Sequence, residues 1–176
     1  MSKQMKWVSL FSQTGSEICE VSKRLNRWPD VCITNQQDIH KINNELFNNT
    51  TIHFTDPKPT VEDYDRLIPC DSFVTLNGWL RVLPAVICEH HTIFNGHPGL
   101  ITKYPELKGK DPQERAFEAG HKVGGCVIHR VIPEVDEGQI LSEGAISIEG
   151  LTLDDVYDKL HEVSINLWVD FLGERL

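Results

Sequence analysis

The segment Trp7-Val-Ser-Leu-Phe-Ser-Gln-Thr-Gly-Ser16 decides the fold, because a short apolar run leads directly into a polar turn. Trp7–Phe11 is predicted to be a buried strand, and the glycine in the following turn marks its end. A helix is predicted over Glu17–Asn26, and Val31–Thr34 is predicted to be a second strand. The apolar residues that share one face of this helix are Ile18, Val21 and Leu25. A strand, a helix and a strand in this order indicate a βαβ unit with parallel strands.

The same alternation continues along the chain. The further predicted elements are a helix marked by Ile39, Ile42 and Leu46, a strand Thr51–Phe54, a helix Val61–Leu67, a strand Ser72–Leu76, a helix Trp79–Ile87 with Pro84 inside or bounding it, a strand His91–Phe94, a helix Asp111–Gly120, strands Cys126–Val131 and Gln139–Ile148, and a last helix that starts near Thr152. We therefore predict one α/β domain over residues 1–176. Its sheet should be mostly parallel and flanked by helices, with a doubly wound, Rossmann-like first half.

Composition narrows the class of protein. The chain has 176 residues, which suits one domain with one buried core. It carries 26 acidic and 17 basic residues, and the net charge of −9 disfavours nucleic acid as the main partner. No apolar run approaches the roughly 20 residues of a membrane helix. Met1–Lys6 leads into only a short apolar stretch, so we do not expect a signal peptide. The five scattered cysteines fit reduced thiols. We expect a cytoplasmic protein that does not bind membranes.

Two polar segments fall where an open parallel sheet binds its ligands, at the carboxyl ends of the strands. Phe94-Asn-Gly-His-Pro-Gly-Leu100 follows the fifth predicted strand, and Glu134-Val-Asp-Glu-Gly138 lies between the two late strands. Asn95 and His97 are two residues apart in what should be an extended turn, so both side chains can point to the same side. The two segments are therefore candidates for one site.

An amide, an imidazole and a carboxylate suit acyl transfer from a formamide-like donor. Attack by an amine builds a negative oxygen, which Asn95 and a protonated His97 could stabilise. A carboxylate such as Asp136 raises the pKa of a neighbouring histidine and can help to move the proton of the amine. Each residue taken alone also fits a structural role in a turn, and Asp136 before Glu137-Gly138 fits a hairpin.

Taken together, these motifs resemble those of the folate-dependent formyltransferase family, which includes glycinamide ribonucleotide and methionyl-tRNA formyltransferases. Asn95-Gly-His-Pro-Gly-Leu100 is similar to the family's N-x-H-P-S-L, and Asp136-Glu-Gly138 to its D-x-G turn. Lys103-Tyr-Pro105 resembles K-Y-P, and Gly78-Trp-Leu-Arg-Val-Leu83 resembles G-F-M-R-I-L. Arg115-Ala116 with Ala119-Gly120 is similar to the family's helix. The likeness covers roughly residues 7–172.

The resemblance implies a role for individual residues. Asn95, His97 and Asp136 match the catalytic residues. The residues that match the folate-binding segments are Arg81, Val82 and Leu83 together with Ile132, Pro133, Glu134 and Val135, and the apolar walls of the pterin site would be Leu80, Phe94 and Val135. The cosubstrate would be 10-formyltetrahydrofolate, and no metal is expected. Cys88-Glu-His-His91 does not have the spacing of a standard zinc site.

A further match concerns the acceptor. Gly15 and Ser16 correspond to the family's phosphate-binding turn at a helix N-terminus. The family's asparagine after that pair is Glu17 in this chain, which either contacts the substrate or serves as a favourable charge in the first helical turn. The chain departs from the family at three other positions as well, namely Gly99, Thr102 and Glu106.

The predicted reaction is transfer of a formyl group from 10-formyltetrahydrofolate to a small-molecule amine. The default acceptor is glycinamide ribonucleotide or a related phosphorylated, nucleotide-linked amine. An amino-sugar nucleotide or another modified nucleotide is the alternative acceptor, and hydrolysis of the folate is a further alternative reaction. From another class of protein, a folate-binding homologue without turnover remains open. The sequence is also compatible with a homo-oligomer.

Overall fold

The structure is a computed structural model that describes residues 5–176, and these residues form one seven-stranded sheet with helices on both faces. Residues 1–4, which belong to the segment considered for a signal peptide, lie outside the described part. The strands are β1 (Trp7–Phe11), β2 (Val31–Thr34), β3 (Thr51–Phe54), β4 (Phe73–Leu76), β5 (Ile93–His97), β6 (Val123–Arg130) and β7 (Ile140–Ser147). Their order in the sheet is β3-β2-β1-β4-β5-β6-β7. The predicted fold class is thereby confirmed.

Six α-helices connect or follow the strands within residues 5–176. They are α1 (Ser16–Leu25), α2 (Asn44–Asn49), α3 (Val61–Leu67), α4 (Ala85–His90), α5 (Pro112–Glu118) and α6 (Leu153–Gly173). Two short 3-10 helices, Ile39–Lys41 and Pro105–Leu107, precede α2 and α5. As expected, α6 begins after Thr152, whose side chain accepts a hydrogen bond from the backbone N–H of Asp155.

The first five strands are parallel, and the strand order changes direction between β1 and β4. Such a switch point leaves a crevice beyond the carboxyl ends of the strands. The chain after β1 and the chain after β4 are tied together there, because Ser12 N–H donates to the carbonyl of Gly78 (3.0 Å). The Ser12 hydroxyl in turn accepts from Leu80 N–H (2.9 Å). These bonds fix one wall of the crevice.

The last two strands run antiparallel to their neighbours. β6 pairs with β5 so that Asn95 lies directly opposite His129 and His97 opposite Val127. β7 then pairs with β6, and the loop between them returns to the carboxyl end of β5. Both polar segments of the sequence therefore meet at one edge of the sheet.

The side of the sheet that carries α1 and α6 holds the largest apolar cluster. Trp168 and Phe171 of α6 are buried against aromatic side chains from the strands. Phe94 stacks on Phe73 with ring centroids 5.1 Å apart, and Phe171 contacts the edge of Phe94 at 5.1 Å. A second cluster on the opposite face includes residues of α3 and α4. The long amphipathic α6 thus covers the strands from which the candidate site projects.

Several predicted elements differ from the observed ones. β6 begins at Val123 rather than Cys126, and the helix marked by Ile39, Ile42 and Leu46 is a 3-10 helix followed by α2. The helix predicted over Trp79–Ile87 begins only at Ala85, with Pro84 as its N-cap. A proline disfavours helical geometry in the residue before it, so the chain stays irregular up to that point. β5 extends through His97, whereas the strand was predicted to end at Phe94. The pairing with β6 adds these residues to the sheet. No helix among residues 5–176 has the length and apolar character to cross a membrane.

We expect Phe171→Ala to lower the stability of the fold, because it removes a ring that joins α6 to β4 and β5. Loss of a buried phenylalanine costs about 3–5 kcal/mol, which lowers the melting temperature of a chain of this size on the order of 10 °C. Thermal unfolding followed by circular dichroism measures the effect. Phe117→Ala is the matched control, because Phe117 on α5 is 40% exposed. An equal loss in both variants would contradict the packing described for α6.

Candidate active site

A cleft of about 1010 Å³ opens at the carboxyl edge of the sheet. One wall is formed by the segment from Gly78 to Leu83, and another by Val131 to Asp136. The end of β5 forms the floor, with Asn95, Gly96, His97 and Pro98. Residues of the segment before α5 and of α6 line the remaining side. This is the position at which a doubly wound sheet presents its ligand site.

Asn95 and His97 project into the cleft from the last residues of β5, on the same side of the strand. The pairing with β6 brings His129 beside Asn95, with 3.1 Å between Asn95 Nδ2 and His129 Nε2. His129 Nδ1 lies 3.1 Å from the carbonyl oxygen of Arg130. Because a carbonyl can only accept, this nitrogen carries a proton, and in a neutral ring Nε2 accepts from the amide of Asn95. The contact orients the amide group of Asn95.

Asp136 reaches the same place from the loop between β6 and β7. Its backbone has a φ of 58°, a left-handed conformation that aspartate tolerates better than most residues. Gly138 follows in the turn, where a Cβ atom would overlap the carbonyl oxygen of Arg130. The Gly109 N–H donates to Asp136 Oδ2 at 2.8 Å. The D-x-G pattern of the sequence is therefore needed for the path of this loop and for the direction of the carboxylate.

The carboxylate of Asp136 lies between the two histidines. Its Oδ2 is 3.6 Å from His97 Nδ1, and its Oδ1 is 3.5 Å from His129 Nε2. The side chains of His97, His129 and Asp136 are all less than a tenth exposed. The structure thus brings together the three residues that the sequence singled out, and it adds His129 to them.

Each nitrogen of the His97 ring has a different environment. Nε2 lies 2.8 Å from the carbonyl oxygen of Leu107, so Nε2 carries a proton and donates it. Nδ1 faces Asp136 at 3.6 Å, which is too long for a hydrogen bond and leaves this nitrogen free for a substrate group. Nδ1 is thus the ring nitrogen that has no hydrogen-bond partner within the described residues.

The pKa of His97 is lowered below its ordinary value. Burial is the largest cause, because it penalises the charged ring, whereas Asp136 and the bond to Leu107 act in the opposite direction. The sequence led us to expect a raised pKa from the carboxylate alone. That expectation was wrong in its net direction, because the strand and the loop exclude water from the ring.

The pKa of Asp136 is also lowered. Burial is the largest influence and would raise it, but His129, the Gly109 N–H and His97 together outweigh burial. Asp136 is therefore a carboxylate at neutral pH, and its negative charge is available beside His97.

The expected folate-binding residues lie together, with one exception. Leu80, Arg81, Val82, Leu83, Ile132, Pro133, Glu134 and Val135 all line the cleft. Leu80, Val82 and Val135 are 67%, 70% and 52% exposed, so apolar side chains face open space at this end of the cleft. Phe94 was wrongly expected among the apolar walls. Since side chains alternate along β5, its ring points to the α6 side and packs on Phe73.

The turn that was expected to bind a phosphate, at Gly15 and Ser16, lies outside the lining of the cleft. Ser16 N–H donates to the Thr14 hydroxyl at 3.2 Å. Glu17 does line the cleft, and it accepts a hydrogen bond from the Ser164 hydroxyl of α6 at 2.9 Å. Burial raises the pKa of Glu17, while Ser164 and His161 partly oppose this rise. A carboxyl group therefore lies in the part of the cleft that α1 and α6 line.

Gly99 differs from the family's usual serine for a steric reason. A Cβ at this position would lie 2.9 Å from the Cβ of Pro112 and 3.1 Å from Nε2 of His97. Any side chain would push α5 or the imidazole ring aside. The glycine thus allows α5 to pack closely behind His97.

Several residues of the cleft were missed by the sequence reasoning. His129 lies in the apolar strand β6, where a single histidine gives no signal until the register with Asn95 is known. The other lining residues that were not predicted include Gln13, Gln113, Tyr157, Asp158, His161 and Ser164. The α6 residues have helical spacing, but nothing in the sequence shows which face of α6 meets the cleft. Among residues 5–176, no group of three or more His, Cys, Asp or Glu side chains is arranged to hold a metal ion.

Known proteins share these sequence features. Residues 31–172 match the family model described as formyl transferase. The Bos taurus trifunctional purine biosynthetic protein adenosine-3 is 32% identical over 110 residues, which cover 61% of this chain and 10% of that protein. Phosphoribosylglycinamide formyltransferase from Bacillus subtilis is 32% identical over 93 residues, which cover 51% of this chain and 46% of the relative. The matches therefore span less than half of either relative.

A solved structure shares the whole fold. The crystal structure of phosphoribosylglycinamide formyltransferase from Anaplasma phagocytophilum superimposes with a TM-score of 0.82 at 23% identity, over 97% of this chain and 86% of that one. The family match spans β2 to α6 and includes Asn95, His97 and Asp136. On these grounds the chain belongs to the formyl transferase family.

Proposed function

We propose that this protein transfers the formyl group of 10-formyltetrahydrofolate to a primary amine, with glycinamide ribonucleotide as the default acceptor. The observation that carries the proposal is the convergence of Asn95, His97 and Asp136 on one cleft that has an apolar end and a polar end. The Bacillus subtilis relative is a phosphoribosylglycinamide formyltransferase, which supports the choice of acceptor. The free, scattered cysteines support a reducing compartment such as the cytoplasm.

Asn95 and His97 would stabilise the oxygen of the transition state. When the acceptor nitrogen attacks the formyl carbon, negative charge develops on the formyl oxygen. One hydrogen of the Asn95 amide is directed to His129, which leaves the second hydrogen for this oxygen. His97 offers Nδ1–H to the same oxygen whenever its ring is protonated.

Asp136 and His97 would handle the proton. As the bond from the acceptor nitrogen to the formyl carbon forms, the bond from that carbon to N10 of the folate breaks. The proton lost by the amine passes to N10, and His97 Nδ1 beside Asp136 is placed to relay it. No covalent nucleophile is required. Cys88 lines the cleft, but burial raises the pKa of its thiol and keeps it protonated.

The folate would bind at the apolar end. Leu80, Val82 and Val135 offer exposed apolar surface to the pterin ring, and the backbone of residues 131–136 offers polar groups to its edge. The acceptor would enter from the side of α1 and α6. Both substrates would then meet above Asn95 and His97.

Asn95→Ala should lower kcat by about a hundredfold and leave folate binding and the melting temperature largely unchanged. The substitution removes one donor to the developing oxyanion, and losses of this size are typical for such a donor. Steady-state formyl transfer at saturating substrate measures it. Asn49→Ala on the exposed surface of α2 is the matched control. Near-full activity of Asn95→Ala would exclude this role.

Asp136→Asn should lower the rate by about a hundredfold and shift the pH–rate profile to lower pH. The negative charge of Asp136 raises the pKa of His97. Its removal therefore lowers that pKa further, and the limb of the profile that His97 governs moves in the acidic direction. Asp154→Asn, at an exposed position in the first turn of α6, is the control. If Asp136 served only the turn, asparagine would replace it with an unchanged profile.

Glu17→Asn should lower the KM for glycinamide ribonucleotide by about fivefold, because it removes a carboxylate that would repel the phosphate of this acceptor. Like charges about 4 Å apart repel by roughly 1 kcal/mol even in water. The raised pKa of Glu17 also predicts how KM depends on pH. As pH falls through that pKa the carboxyl becomes neutral, so the KM of the wild type should fall as well. Glu20→Asn on the same helix is the control. A wild-type KM that Glu17→Asn does not lower would contradict repulsion between Glu17 and the acceptor.

A further inference from the structure

Arg115 lies in α5, behind the cleft rather than in its wall. Its guanidinium group donates to the backbone carbonyls of four residues in the preceding segment. Nε donates to Lys110 (2.8 Å), and one terminal nitrogen donates to Leu107 (3.1 Å) and Lys108 (2.8 Å). The other terminal nitrogen donates to Glu106. The segment Glu106–Lys110 is thus wrapped around a single side chain, and we refer to it as the wrapped segment.

The wrapped segment makes the two bonds that orient the catalytic pair. The carbonyl of Leu107 accepts from His97 Nε2 at 2.8 Å, and the N–H of Gly109 donates to Asp136 Oδ2 at 2.8 Å. Leu107 O is one of the atoms that Arg115 itself holds. Arg115 is therefore linked to His97 and to Asp136 through the backbone of the wrapped segment alone.

The position of Arg115 is fixed by the packing of α5. Pro112 and Ala116, on either side of it in α5, are buried. Glu114 accepts a hydrogen bond of 2.6 Å from Tyr157, which ties α5 to α6. The wrapped segment carries a further link to the Asp136 loop, because Lys108 Nζ lies 3.0 Å from Glu137 Oε1. Through α5 and the wrapped segment, Arg115 thus connects α6 with the loop that carries Asp136.

The geometry points to Arg115 as a positioning residue, which holds the wrapped segment so that Leu107 O fixes the ring of His97 and Gly109 N–H fixes the carboxylate of Asp136. This inference rests on the proposed function, in which His97 and Asp136 act on the substrates. A guanidinium has five donors in a fixed planar fork, whereas a lysine ammonium has three donors at one point. Lysine can therefore satisfy only part of this set of carbonyls.

The kinetic test compares Arg115→Ala and Arg115→Lys with the wild type in formyl transfer to glycinamide ribonucleotide. We expect kcat of Arg115→Ala to fall about tenfold or more, while KM for the folate stays within about twofold, since an orienting effect acts in the transition state. Arg115→Lys should fall less. Low millimolar guanidinium should restore part of the Arg115→Ala activity, and methylammonium should not. Arg66→Ala, at an exposed arginine of α3, is the matched control.

A second readout needs no turnover. In ¹⁵N-labelled protein, the His97 Nε2–H that donates to Leu107 should give a protected ring signal in the wild type and in Arg66→Ala. We expect Arg115→Ala to lose that signal at an otherwise unchanged backbone spectrum. If Arg115→Ala does not fold, Arg115→Lys carries both measurements, with a weaker loss of the same signal.

The outcomes separate the two levels of the account. A wild type that transfers no formyl group to any amine overturns the proposed function, and the ring signal still tests Arg115. Wild-type kcat in Arg115→Ala, or a raised KM with unchanged kcat, overturns the positioning role. So does a His97 Nε2–H signal that persists in the variant.

Discussion

The antiparallel pairing of β5 with β6 sets the geometry on which the candidate site depends. It places His129 opposite Asn95, and the loop between β6 and β7 carries Asp136. β6 ends at Arg130, opposite Phe94, and the loop that follows brings the Asp136 carboxylate back to within 3.6 Å of His97. The change from parallel to antiparallel pairing therefore builds an amide, two imidazoles and a carboxylate into one place.

Burial and charge act against each other at this site. Burial lowers the pKa of His97, and the Asp136 carboxylate pulls it upward. The ring is therefore sensitive to small changes in its surroundings, and the wrapped segment controls those surroundings through Leu107 and Gly109. Water that entered behind the ring would weaken both effects, because a higher dielectric reduces desolvation and attraction together. The close packing at Gly99 and Arg115 therefore helps to set the pKa of His97, because it keeps water away from the ring.

Local patterns in the sequence were sufficient for the strands, most helices and the three central residues. Asn95 and His97 have the period of a strand, and Asp136 has the signature of a glycine turn. The missed features depend on partners that are distant in sequence. The direction of Phe94 depends on which residue of β5 faces α6, and His129 depends on the register of β6 with β5. The turn at Gly15 and Ser16 does not offer the free N–H groups that were expected, because Ser16 N–H donates to the Thr14 hydroxyl. The hydrogen bond from Ser164 of α6 to Glu17 also joins partners that are distant in sequence.

The fate of the formyl carbon tests the account most directly. The measurement is a single turnover with 10-formyltetrahydrofolate labelled with ¹³C at the formyl group, run with and without a primary amine and followed by NMR or mass spectrometry. The account predicts that the label appears as an N-formyl group on the acceptor, and that tetrahydrofolate is released only when the amine is present. Label released as formate at the same rate without any amine would contradict it, and so would folate binding with no release of label across a broad set of amines.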